Sequence, residues 1–379
     1  MTDFDRLRLI RTESVGPVTY RRLMARFATP KEALAALPEL ARAGGRATPP
    51  VIPPAAKVEA ELRAVQRMGG QILFLGGPGY PPLLAQLLDA PPAISVLGAP
   101  ENLSARAVGI VGARNASANG MRFAEILGAE LAATLAVVSG LARGIDAAAH
   151  TGAMRAGKTI AVIAGGLDQP YPPEHAALQA RIAEQGAVVT EAPLGTAPVA
   201  RHFPKRNRII AGLVLGLVVI EAAARSGSLL TARLALEAGR ELFGVPGSPL
   251  DPRSAGANDL IRQGAHLTEA AADVLANLPD VPGRVGLSRD PMFQRGTPSG
   301  FAESSLPLRM EDEKADEAEL ARGRRAILDM IGAEPVGVDE IARRCQLSLS
   351  AITAVLLELE LAGRVETLAG NRVARHVDP

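Results

Sequence analysis

From residue 107 onward, short apolar runs alternate with stretches long enough to form helices, and this alternation restricts the chain to one kind of fold. The apolar runs stand at Ala107–Val111, Ala136–Ser139, Thr159–Ala164, Ala187–Thr190, Leu213–Ile220 and Glu241–Val245. Strands buried on both faces read as unbroken apolar segments, and strands joined through helices pair in parallel. The pattern predicts a doubly wound, Rossmann-like α/β domain whose parallel sheet is covered on both faces. In such a sheet, ligands sit beyond the carboxyl ends of the strands.

The rest of the 379 residues divides around that core. Residues 1–43 read as short helices broken at Val15-Gly16-Pro17, with Thr29-Pro30-Lys31-Glu32 opening a helix at Ala33–Leu37 as a capping box. A Gly/Pro-rich linker, Gly44 to Pro54, leads to a core expected over 55–278, which begins with a helix, a short strand at Gln71–Leu75 and Pro-rich turns. Residues 279–320 combine Pro, Gly, Ser and Arg with a charge run, Glu311 to Glu319, and read as a flexible tether. Residues 321–379 form a small module. It has helices at Ala321–Ile331, Val338–Cys345 and Ala351–Ala362, a cap at Leu347-Ser348-Leu349-Ser350, and a hairpin turning at Ala369-Gly370-Asn371. Helix–helix–turn–helix–hairpin is the winged-helix pattern.

Net charge is +1, so any affinity for a polyanion must come from local patches and not from a global field. A single cysteine, Cys345, excludes an intrachain disulfide framework and fits a reducing compartment. The amino terminus lacks an apolar signal segment, and Leu213–Ile220 is far short of the roughly 20 residues that cross a bilayer. A cytoplasmic location without membrane contact is therefore expected. Aromatic residues make up only 3% of the chain, which limits base stacking.

The segment Arg201-His202-Phe203-Pro204-Lys205-Arg206-Asn207-Arg208 holds four cations and no acid. Pro204 suits the first position of a helix, which would put Lys205, Arg206 and Arg208 in its first turn. Cations there oppose the helix dipole at a cost of about 0.3–1 kcal/mol each, and an external anion would relieve it. Three turns after predicted strands are also suited to anions. The first runs from Gly112 through Arg114 to Gly120. The second is Ser139-Gly140-Leu141-Ala142-Arg143-Gly144-Ile145-Asp146, and the third is Arg225-Ser226-Gly227-Ser228. Asp146 reads either as a helix cap, the preferred reading, or as a catalytic acid sharing a helical face with His150. Glu191 and Glu221 follow strands on the ligand edge and could do acid–base work or anchor arginines.

Several chemistries are disfavoured. Gly112 and Gly120 are wrongly spaced for a dinucleotide fingerprint, and no acid ends the strand Ala136–Ser139 to hold a ribose. The five histidines, at 150, 175, 202, 266 and 376, show no ligand spacing, and no Walker loop exists. No metal or cofactor is expected.

An ordered series of motifs then resembles the DNA-processing protein A (DprA/Smf) family. It runs through Tyr80-Pro81, Asp89-Ala90-Pro91-Pro92, Val111-Gly112-Ala113-Arg114, Ser139 to Asp146 with His150, and Gly166-Leu167-Asp168 with Tyr171-Pro172. It continues through Phe203 to Ile210, Ser226 to Thr231, and Val245-Pro246-Gly247, covering about residues 70–270. One departure is Gly165 before Gly166, where the family often has another small residue. The resemblance implies a non-catalytic protein that binds single-stranded DNA, shields incoming strands in natural transformation, helps load a RecA-type recombinase and self-associates as a homodimer. It maps a basic pocket onto Arg114, Arg143, Lys205, Arg206 and Arg208. It also implies a SAM or helix-hairpin-helix-like module near residues 1–43. With the anion turns, the expected contact set adds Gly112, Ser139, Gly140, Phe203, Asn207, Ser226, Gly227 and Ser228, with Phe203 as the stacking ring. Two alternatives remain. One is a nucleotide-cleaving hydrolase of related fold, although the Gly pair and nearby Glu of its motif are missing around Ser226. The other is a winged-helix regulator, although the third helix, Ala351–Glu360, bears two acids and no base.

Overall fold

A computed structural model describes residues 3–279, 317–332, 334–345, 347–368 and 372–375. Most of the expected tether, the turn Ala369-Gly370-Asn371 and His376 lie outside the described residues. The chain opens with helices α1 (Asp3–Ile10), α2 (Pro17–Arg26), α3 (Pro30–Ala43) and α4 (Ala55–Arg67). Next come β1 (Gly70–Phe74), α5 (Pro82–Ala85), β2 (Ala93–Gly98), β3 (Ala107–Gly112), α6 (Ala118–Ala132) and β4 (Ala136–Ser139). These lead to α7 (Ile145–Ala153), β5 (Thr159–Val162), α8 (Ala176–Gln185), β6 (Ala187–Thr190), α9 (His202–Leu213) and β7 (Gly216–Ile220). The core closes with α10 (Gly227–Glu237), β8 (Glu241–Gly244), α11 (Ala255–Arg262), β9 (His266–Leu267) and α12 (Ala271–Asn277). After the tether come α13 (Glu317–Met330), β10 (Val336–Gly337), α14 (Val338–Cys345), α15 (Leu349–Leu361), β11 (Val365–Leu368) and β12 (Arg372–Arg375).

Of the described residues, 60–279 form one body, and 3–59 with 317–375 form the other. The core body is a sheet in the order β1-β2-β6-β5-β4-β3-β7-β8-β9. Pairing is parallel from β6 through to β9. The chain winds outward from β3 to β6, returns to the other side of β3, and winds out again through β7 to β9. The reversal between β3 and β7 is the switch point at which doubly wound sheets open a crevice. Helices cover both faces. Leu127, Leu131, Ile145 and Ala149 pack on one, and Ile209, Ile210, Leu213 and Ala232 on the other.

The core departs from the expectation at three places. It is not wholly parallel, because β2 pairs antiparallel with both β1 and β6. Pro91-Pro92 and Pro100 bracket β2 and give it the look of a turn. The run Leu213–Ile220 is not one strand, since Leu213 ends α9 and β7 begins at Gly216. A short apolar run cannot by periodicity alone tell a buried helix end from a strand. Pro204 is the third residue of α9 and not its first, so Arg206 and Arg208 both fall beyond the first turn.

The terminal body contains a three-stranded sheet, β10-β12-β11, with α13, α14 and α15 packed around it, as the winged-helix pattern predicts. Ser348 caps α15 by accepting from Ala351 N at 3.2 Å. Thr29 caps α3 in the same way from Glu32 N. α13 begins at Glu317 and not at Ala321. The helix α15 is apolar on two sides. Ile352, Val355, Leu356 and Leu359 enter the winged-helix core, while Leu357 and Leu361 enter a cluster with Leu9, Tyr20, Leu23, Leu37 and Leu40 of the first three helices. Its two acids are buried and partnered. Glu358 holds Arg324 Nε at 2.7 Å. Glu360 holds Arg22 Nη1 at 3.0 Å and accepts from Thr19 Oγ1 and Thr367 Oγ1. The absence of bases on this helix thus follows from its burial between two cores.

Removing one member of a buried ion pair strands the other charge and costs about 3–5 kcal/mol. Glu360→Ala should therefore destabilise the terminal body by about 3 kcal/mol. Amide exchange should rise together in α2 and α15. Exchange unchanged in α2 would show that the pair does not couple the two modules.

Candidate nucleic-acid interface

The carboxyl ends of β4, β5, β3 and β7, with the start of α9, bring the predicted segments to one edge. There the cations of α9 separate into two groups. Arg206 and Arg208 are buried, at 6% and 9% exposure, whereas Lys205 and Arg201 are exposed. Arg206 donates through Nη1 to the carbonyls of Gly140 and Val162, at the ends of β4 and β5. Its Nε donates to Asn207 Oδ1 at 3.1 Å. Arg208 pairs with Glu191 and donates to the Asp89 carbonyl. These two guanidinium groups hold α9 against the sheet, and their donors face inward.

Two of the three expected anion turns are already filled by the protein's own carboxylates. In the second turn Asp146 is buried and accepts from Ala142 N at 3.3 Å. It is the second residue of α7, whose cap is Gly144, so the expected cap reading is replaced by a carboxylate folded back onto the preceding turn. Burial pushes the Asp146 carboxyl up, and Arg206 opposes that shift. Burial likewise lowers Arg206, to about 10, which leaves it charged at neutral pH. In the first turn Glu221 accepts from Ser117 N at 2.8 Å and from Ser117 Oγ, at the start of α6. Glu221 pays for this seat with a left-handed φ of 50°. The third turn is different. Ser226 stands at the cap of α10 without a side-chain cap bond, its Oγ lies 2.8 Å from Ser228 Oγ, and Gly227 is exposed.

The glycines and serines of the first two turns serve packing. A Cβ on Gly140 would sit 2.3 Å from Arg206 Nη1, and one on Gly112 would sit 1.9 Å from the Ile220 carbonyl oxygen. Ser139 is fully buried and donates to the Ile110 carbonyl at 2.6 Å. Ser139 and Gly140 are buried and do not line the surface as expected, while Gly112 is half-buried against the end of β7. Asn207 joins the frame, donating to the Gly227 carbonyl at 3.4 Å and so linking α9 to α10. His150 is fully buried, with Nδ1 2.7 Å from Thr159 Oγ1. Burial, with Arg206 and His175 adding positive charge nearby, lowers it to about 3, so it packs as a neutral ring.

What remains exposed is a cationic rim. Arg114 lies with its guanidinium carbon 4.9 Å from the Phe203 ring centroid, a cation–π contact. Among the described residues, no carboxylate lies within ion-pair distance of Arg114 or Lys205. Arg143 is exposed and paired with Glu174 at 2.5 Å. Tyr171 joins this group from the loop between β5 and α8, a position outside every anion motif of the sequence. Glu191 and Glu221, the carboxylates that a hydrolase would need, are held by Arg208 and Ser117.

A doubly wound core with an exposed cationic rim at its strand ends, flanked by helical and winged-helix modules, defines a nucleic-acid-handling class of protein. The sequence matches the family described as DNA recombination-mediator protein A over residues 71–279, the DprA-like N-terminal HHH domain over 1–64 and the DprA winged helix domain over 311–371. It is 37% identical over 325 residues to Protein Smf of Escherichia coli K12, covering 84% of this chain and 81% of that one. It is 46% identical over 198 residues to the DNA processing protein DprA of Streptococcus pneumoniae, covering 52% and 70%. The solved structure of DprA from Streptococcus pneumoniae superposes with a TM-score of 0.58 at 35% identity, over 69% of this chain and 87% of that one. DNA processing protein A from Helicobacter pylori, solved for its single-stranded DNA binding mode, superposes with a TM-score of 0.50 at 28% identity, over 55% and 95%. This chain belongs to the DNA recombination-mediator protein A (DprA/Smf) family. Among the described residues no helix is long and apolar enough to cross a membrane.

Two stability tests follow. Arg206→Ala leaves Asp146 buried without its counter-charge and should cost about 3 kcal/mol in denaturant unfolding, while Lys205→Ala should change stability by less than about 0.5 kcal/mol. Equal effects would contradict the division into frame and rim. His150 binds a proton in the unfolded chain below about pH 6.5 but not in the folded one until about 3. Its contribution is therefore complete above the unfolded value and lost as pH falls. Asp146, pushed up, acts in the opposite sense, so the comparison must be against His150→Gln. Between pH 6.5 and 5 the wild type should lose about 1.5 kcal/mol more than that variant. Parallel pH profiles would show that His150 already titrates normally.

Proposed function

We propose that this chain binds single-stranded DNA along the strand-end edge, with phosphates held by Arg114, Arg143, Lys205 and the start of α10 at Ser226 and Gly227, Ser228 being buried beneath them. The observation that carries this reading is the pair of exposed cations, Arg114 and Lys205, that no carboxylate of the described chain neutralises. Arg206, Arg208 and Asn207 support the edge from within, and Phe203 holds Arg114. Arg143 would exchange Glu174 for phosphate, a small loss because solvent screens an exposed ion pair. The family relatives support the reading, including the Helicobacter pylori protein solved for its single-stranded DNA binding mode.

The wider role belongs to the same proposal. The protein shields incoming strands in natural transformation, helps a RecA-type recombinase to load, acts as a homodimer in the cytoplasm and catalyses no reaction. The domain division is a helical module over residues 1–43, a core over 55–278 and a winged-helix module whose first helix begins at Glu317. Duplex reading by the winged helix is disfavoured, because its third helix is buried on two sides.

Salt dependence separates rim from frame. Single-strand affinity falls with a log–log slope of about −0.7 per neutralised phosphate. Contacts from all five arginines and lysines of the basic pocket would give about −3.5, whereas three rim cations give about −2. Titrations from 50 to 200 mM salt should yield the shallower slope, reduced by about 0.7 in Lys205→Ala. A slope that Arg114→Ala and Lys205→Ala leave unchanged, with unchanged affinity, would remove this edge from DNA binding.

A further inference from the structure

Tyr171 is 44% exposed and is the one aromatic ring among the described residues with more than a third of its surface open. Its ring centroid lies 5.5 Å from that of Phe203, with the planes inclined at 59°. Phe203 was the ring expected to receive a base, but it is already engaged. The Arg114 guanidinium carbon lies 4.9 Å from its centroid and that of Arg206 lies 6.0 Å away. Tyr171 also sits within electrostatic reach of exposed Arg143. Through Phe203 it thus stands beside the Arg114 side of the cationic rim, which is built on the loop after β3.

A base-stacking platform needs one aromatic face open to solvent and a second contact that keeps the ring from swinging. A tilted ring pair supplies the second. A guanidinium laid over a ring keeps its N–H donors in plane and available to phosphate. The two rings thus divide the labour that sequence reasoning assigned to Phe203 alone.

We propose that Tyr171 is the platform on which a base of the bound strand stacks, with Phe203 serving as its support and as the seat of Arg114. This inference rests on the single-strand reading above. It adds that affinity is not wholly electrostatic and that the ligand is read through a base as well as its backbone. One stacked base contributes about fivefold to a hundredfold in affinity.

The test compares an oligothymidylate with an abasic strand of equal length and charge. The wild type should bind the thymidylate about tenfold tighter than the abasic strand. Tyr171→Leu should lose about that factor on the thymidylate and nothing on the abasic strand, while Tyr171→Phe stays within about twofold. The salt slope should not move in either variant. The chain contains no tryptophan, so Tyr171→Trp adds a single reporter at the platform. Its fluorescence should be quenched by the thymidylate and not by saturating abasic strand. If Tyr171→Leu binds thymidylate as the wild type does, or if quenching is equal for both strands, the platform is wrong while strand binding stands. If the wild type binds neither strand at low salt, the single-strand reading falls and takes this inference with it.

Discussion

The edge described here depends on one buried guanidinium. Arg206 ties the start of α9 to the carbonyls that end β4 and β5, with Asp146 as its counter-charge. A buried arginine without such acceptors would be untenable, because unpaired charge in the interior costs several kcal/mol. The acceptors exist only because Gly140 has no Cβ and because the strand ends expose carbonyls that the sheet ladder does not use. Once α9 is pinned, Phe203 and Lys205 are presented at the rim, and Arg208 fastens the next turn through Glu191. The edge is thus built in two layers. Inward-facing cations supply rigidity, and outward-facing cations supply charge.

The carboxylates follow the same logic. Glu221 and Asp146 occupy the starts of α6 and α7, where a related nucleotide-binding fold would place phosphates. Anionic groups at those positions stabilise the helix dipoles internally. They leave Arg114 and Lys205 of the exposed rim without a carboxylate partner among the described residues. A surface of this kind suits an extended strand lying across it better than a small nucleotide held within the crevice. The terminal body shows a parallel economy of charge. Glu358 and Glu360 make α15 a poor reader of a duplex and a good bridge between two apolar cores.

Much of the core was legible in the chain. The alternation of apolar runs and helical stretches identified most strands of the sheet, and the caps at Thr29 and Ser348 stand where the capping pattern put them. The antiparallel edge was not legible, because prolines on either side of β2 imitate a turn. The end of α9 was not legible either, because a buried helix terminus and a buried strand share the same apolar composition. At the site, the cationic segment of α9 announced itself through the absence of nearby acids in sequence. Its partners, Asp146, Glu191 and the carbonyls of Gly140 and Val162, are distant in sequence and close only after folding.

The sequence alone determined the doubly wound class, the winged-helix pattern and the concentration of positive charge at one predicted strand edge. Periodicity and local charge are properties of neighbouring residues and need no tertiary contact to be read. Which cations face solvent was decided only by tertiary structure, as was which carboxylates fill the helix starts and which ring stays open. The reason is physical. The cost of burying a charge is met by acceptors brought together from remote parts of the chain, and no local pattern encodes where those acceptors will stand.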